Sequence, residues 1–204
     1  MKKMLFLVMA VVVVVALTPC AHAQVITGTT KGDLESNLSL LNLFREQPET
    51  VKQLYSAAYA VLASDPRATF AEVSEDPEVR RLCDENGIAH FGGPMLGSVA
   101  ADGAKVWVRT AKPAKVEVQL VANGEEKRYG PVMASAESDL TAVVPVTGLS
   151  PDTRYPYHVL IDGTPIVIPD HAAIVTAPEP LETGKVRIAF GSCYHRWGLG
   201  NQAL

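Results

Sequence analysis

Four stretches between residues 104 and 161 alternate apolar and polar side chains. A period of two puts successive side chains on opposite faces, so these stretches predict strands with one buried face. In the first, Ala104, Val106 and Val108 alternate with Lys105, Trp107 and Arg109. In the second, Val116, Val118 and Leu120 alternate with Lys115, Glu117 and Gln119. Leu140, Ala142, Val144 and Val146 form a third series, and Tyr155, Tyr157, Val159 and Ile161 a fourth. Turn-forming residues separate them: Asp102-Gly103, Asn123-Gly124, Ser150-Pro151-Asp152 and Asp162-Gly163. Asp162-Gly163 lies between two apolar runs and predicts a tight hairpin. Short strands with regular turns imply a sandwich or a barrel. Trp107 falls on the face opposite Val106 and Val108. It either marks an interface or lies flat between Lys105 and Arg109 as a single exposed apolar residue.

The chain ahead of these strands has a different period. Leu34, Leu38, Leu41 and Phe44 recur at helical spacing, with Asp33 as an N-cap. Pro48 opens a second helical stripe of Val51, Leu54, Tyr55, Ala58, Val61 and Leu62, which Ser64-Asp65-Pro66 stops. Asp76, Pro77 and Gly87 predict a third, shorter helix whose apolar face is Val79, Leu82 and Cys83. Residues 31–89 carry 6 basic and 11 acidic side chains, which reads as a solvated helical face rather than an acidic docking surface.

The N-terminus reads as an export signal. Lys2 and Lys3 precede an apolar run from Met4 to Leu17, and Ala21-His22-Ala23 follows. The run is too short for a membrane span, which takes about 20 residues. Cleavage after Ala23 leaves no stable membrane span and places the chain outside the cytoplasm, secreted or periplasmic. Retention of the segment as an anchor and lipidation at Cys20 are the alternatives. The mature chain keeps 16 basic and 22 acidic side chains, a net charge of −6, which argues against nucleic-acid binding. It also keeps two cysteines, Cys83 and Cys193, and their spacing does not decide whether they pair.

Leu149-Ser150-Pro151-Asp152-Thr153-Arg154-Tyr155 resembles the corner that precedes strand F in fibronectin type III domains. The resemblance gives Tyr155 and Pro151 structural roles, the tyrosine hydroxyl bonding back to nearby backbone. After a Pro-containing linker at 177–184 comes Val186-Arg187-Ile188-Ala189-Phe190, a further short strand ending at Gly191-Ser192-Cys193. A single strand cannot bury a core of its own, so it reads as the opening of a second domain.

The set of Gly93-Pro94-Met95-Leu96-Gly97, Val106-Trp107-Val108-Arg109, Gly148–Tyr155 and Arg187–Cys193, in this order, resembles the PhoD-like (alkaline phosphatase D) family of secreted metallophosphoesterases. The resemblance runs from about Gly93 to Leu204 and omits the helical region. It implies a fibronectin-like domain ahead of a catalytic domain that holds iron and calcium and hydrolyses phosphate esters. It also makes Cys193 a metal ligand. A thiolate is a soft anionic ligand suited to iron. The family's remaining aspartate, histidine and asparagine ligands have no counterparts in this sequence. His195 therefore reads as a surface histidine, and Ser192 has no visible base that would make it a nucleophile. His90, His158 and His171 show no metal-ligand spacing, and Gly92-Gly93-Pro94 reads as a turn.

The expected organisation is a signal peptide at 1–23, a helical region at 24–89 and a fibronectin type III/Ig-like β-sandwich at 90–178. Residues 179–204 hold a linker and the first strand of a truncated catalytic domain. This chain alone is expected to lack phosphatase activity and bound iron or calcium. The alternative is a non-enzymatic secreted binding module, since fold does not fix function. A further option makes the helical region a partner-binding or autoinhibitory segment.

Overall fold

The computed structural model describes residues 33–42 and 45–180. The expected export signal at 1–23, Cys20, Phe44, the expected strand at 186–190, Ser192, Cys193 and His195 lie outside the described residues. Four helices come first: α1 (Leu34–Leu41), α2 (Glu49–Ser64), α3 (Phe70–Glu75) and α4 (Pro77–Asn86). Eight strands follow: β1 (His90–Ala100), β2 (Gly103–Thr110), β3 (Ala114–Ala122), β4 (Glu125–Ala134), β5 (Thr141–Thr147), β6 (Arg154–Ile161), β7 (Thr164–Pro165) and β8 (Ala173–Val175). They form two antiparallel sheets. One has the order β1-β2-β5; the other has the order β4-β3-β6, with β7 and β8 both paired to β6. The protein is mostly β, a fibronectin type III/Ig-like sandwich preceded by short helices.

The alternation in the sequence decides which faces meet. On β2, Val106 and Val108 are fully buried and sit opposite Val144 and Ala142 of β5. On β3, Val116 and Val118 are fully buried and face Ile161 and Val159 of β6 across the ladder. These side chains form one core with Val146, Tyr155, Tyr157 and Ile174. Each fully buried valine of this kind stabilises the sandwich by about 1.5 to 3 kcal/mol. The tight turns follow their residues. Ala122 pairs with Glu125 across Asn123-Gly124, and Ile161 pairs with Thr164 across Asp162-Gly163. All four turn residues have positive φ, the geometry that fits the twist of the flanking strands.

The helix ends carry the expected chemistry. Asp33 accepts the Ser36 backbone N–H, and Asp76 accepts those of Glu78 and Val79. Gly87, at φ 63°, closes α4 in the left-handed conformation. Pro48 caps α2 one residue ahead of the first helical position, so that helix starts at Glu49. On the exposed side of α4, Arg81 pairs with Glu78 and Glu85. Such surface pairs contribute little to stability.

Several features depart from the sequence reading, β8 (Ala173–Val175) among them. α3 was not expected, although a capping box between Thr69 and Glu72 starts it. β4 was not expected either. Its run of Glu125, Glu126, Lys127 and Arg128 shows no apolar alternation, because β4 is an edge strand with mostly wet side chains. Gly92-Gly93-Pro94 is not a turn but part of β1, with register shifts on either side of it. Gly93 has φ +88° there, and a Cβ would stand 2.6 Å from the Trp107 carbonyl oxygen. β1 can cross β2 this closely only with glycine at that position.

Candidate functional site

The corner before β6 is fastened by hydroxyls. The Tyr155 side chain is buried, and its hydroxyl accepts the Ser150 backbone N–H at 2.9 Å. The Thr176 hydroxyl donates to the Ser150 carbonyl at 2.7 Å and accepts the Thr153 N–H at 2.9 Å. The Pro151 carbonyl accepts the Thr153 hydroxyl at 2.7 Å. The hydrogen bond from Ser150 holds the Tyr155 phenol below its ordinary pKa. Every polar group named here is tied to local backbone, and the network fixes the chain's path from β5 into β6.

A second cluster joins the helices to the sandwich. Arg109 projects from the outer face of β2. Its guanidinium lies 4.3 Å from the centre of the Phe70 ring and 5.7 Å from that of Trp107. Its Nη2 donates to the Asp139 carboxylate at 2.9 Å, and its Nε donates to the Asp139 carbonyl at 3.2 Å. The other Asp139 carboxylate oxygen accepts the Ala71 N–H, at the start of α3, at 3.0 Å. One carboxylate thus caps a helix and pairs a strand arginine. Below this latch, Val73, Val79, Cys83 and Ala111 form a small apolar core with Phe70, Ile88 and Phe91 around it. No sequence signal tied Arg109 to Asp139, since the two are 30 residues apart and each reads as an ordinary surface charge.

Behind that core lies a cleft of about 480 Å³ lined by Cys83, Ile88, Ala111, Pro113 and Ile161, with charged side chains at its rim. The rim charges largely answer one another: Arg80 pairs with Glu75, and Lys112 lies 3.8 Å from Asp84. Burial raises the Cys83 thiol pKa, which disfavours the reactive thiolate.

Trp107 takes an intermediate position. Its ring lies over Gly92, where a Cβ would come within 3.4 Å of the indole, and beside Arg109. Met95 and Val143 flank it across the strands and are 62% and 43% exposed.

Among the described residues, no three His, Cys, Asp or Glu side chains converge as metal ligands. Cys193, the ligand that the resemblance implies, lies outside the described residues. Among the described residues, no helix is long and apolar enough to cross a membrane.

The sandwich boundaries coincide with a family match. Residues 90–179 match the model of DUF7800, a domain of unknown function. A solved structure titled "Structure of PhoD" is similar at 17% identity and a TM-score of 0.34. That likeness covers 42% of this chain and 18% of the PhoD chain. No curated protein matches the sequence.

Proposed function

We propose that this chain carries the non-catalytic sandwich domain of an exported, PhoD-like, metal-dependent phosphoesterase. The order of motifs along the sequence carries the reading. The Leu149–Tyr155 corner leads through β6 and β8 into a Pro-containing linker, and then into Val186–Cys193, whose sequence reads as a strand ending in a thiol. In this reading the sandwich is a non-catalytic scaffold, and the chemistry belongs to a catalytic domain of which the residues from Val186 onward form only the opening. By the PhoD-like resemblance Cys193 would be one ligand of an iron and calcium centre, which would supply Lewis-acid activation of a phosphate ester. Phosphate esters are the substrates of that centre. The signal at residues 1–23 exports the protein.

Reading the coding sequence beyond codon 204 tests this. A continuation in any frame with Asp, His and Asn at the ends of successive strands is the expected result. An immediate stop with no such remnant overturns it. That outcome would favour a secreted binding module, for which the exposed Met95 and Val143 on either side of half-buried Trp107 are the supporting observation.

A further inference from the structure

The helices and the sandwich meet along a seam, and the cleft of about 480 Å³ opens in it. Cys83 and Asp84 of α4 form one wall, and Ala111, Lys112, Pro113 and Ile161 form the other. Pockets for small molecules have volumes of roughly 300 to 1,000 Å³ and occur preferentially where two structural units join. The apolar surface continues past the cleft. Ile88, Ala89 and Ile161 also line a neighbouring hollow of about 340 Å³, which runs on to Ile166 and Val167. Val167, at its lip, is 94% exposed. His90 lines the same hollow, and burial favours its neutral ring.

The charges at the rim select among apolar ligands. Arg80 is held twice, by the Glu75 carboxylate and by the Ser74 carbonyl, which accepts its Nε–H at 3.1 Å. Lys112 lies beside Asp84. Asp162 differs from the other two acids. One of its carboxylate oxygens accepts the Lys115 backbone N–H at 2.9 Å, and the residue makes no ion pair among the described residues. Its side chain is exposed at the mouth of the cleft. With Glu75, Asp84 and Asp162 set against Arg80 and Lys112, the rim keeps one uncompensated negative charge. A carboxylate has room for several donors, and an ammonium group brings three.

We propose that this cleft binds a small amphipathic amine, with its apolar body between Cys83, Ala111 and Ile161 and its ammonium group on Asp162. An exposed ion pair adds only a few-fold to affinity, so burial of the apolar body supplies most of the binding. A carboxylate head on the same body would meet the excess negative charge instead. The inference goes beyond the phosphoesterase reading and does not require it, because every residue it uses belongs to the helices or the sandwich.

Phenylbutylamine and phenylbutyrate test this in the mature chain, residues 24–204. The two probes have similar apolar bodies and opposite head charges. Calorimetry measures their affinities. Cys83 reports where they bind, through its rate of maleimide labelling with and without probe, read by peptide mass mapping. At saturation the amine is expected to slow Cys83 labelling, and to bind more tightly than the carboxylate, each by about threefold or more. Asp162→Asn keeps an acceptor for the Lys115 N–H and a residue type suited to the backbone at φ 48°. This variant should bring the two affinities together while the amine still protects Cys83. The proposal is overturned if the amine leaves Cys83 labelling unchanged, if the carboxylate binds as tightly, or if the preference survives Asp162→Asn. None of these readouts depends on metal or turnover, so the result stands apart from the phosphoesterase reading.

Discussion

Two tyrosines of the sandwich differ by one hydrogen bond. The Tyr155 hydroxyl accepts the Ser150 N–H, whereas the buried Tyr129 hydroxyl has no hydrogen-bond partner among the described residues. Leaving a backbone donor unpaired is costly, while removing an unpaired hydroxyl is not. Tyr155→Phe should therefore lower the melting temperature, by about 3 °C for a domain of this size. Tyr129→Phe should leave it unchanged or raise it, and thermal melts followed by circular dichroism compare the two. His90 gives a pH dependence. Burial lowers its pKa below the ordinary 6.5. The fold thus favours the neutral ring, and this contribution is present above pH 6.5 and lost as the pH falls through it. The urea midpoint should be lower at pH 5.5 than at pH 7.5, and His90→Gln should reduce the difference.

At the scale of elements, the latch between α3 and β2 is the contact whose loss should spread furthest. Asp139 caps α3, pairs Arg109 and holds a left-handed backbone at φ 50°. Asp139→Ala removes both side-chain contacts and the residue type that tolerates that backbone. The expected loss is about 2 kcal/mol, with faster hydrogen exchange in α3 and α4 than in β3 and β6. Asp139→Asn keeps an acceptor and a residue suited to the left-handed region, so it should lose less. Local signals made much of the element structure legible. Asp76, Pro77 and Gly87 marked α4, and alternation marked β2, β3, β5 and β6. The missed elements are those whose stability comes from elsewhere. α3 has six residues and leans on Asp139 and Arg109, while β4 is wet on most of its length and is held by the β3 ladder. Gly92-Gly93-Pro94 carries turn residues, but it lies within a strand because β1 must pass close to Trp107.

At the scale of the whole molecule, the described helices come first along the chain and the sandwich follows. The Tyr155 corner was readable because its residues are contiguous. The Arg109–Asp139 latch and the row of Met95, Trp107 and Val143 were not, since register and packing bring them together across distant strands. Catalysis is a property of ligand sets, and one thiol at Cys193 does not make a two-metal centre. Elemental mass spectrometry on the purified mature chain, with phosphodiester turnover measured on the same sample, tests this most directly. The account predicts neither bound iron and calcium nor turnover for residues 24–204. Iron and calcium near one equivalent each, with turnover, would contradict it.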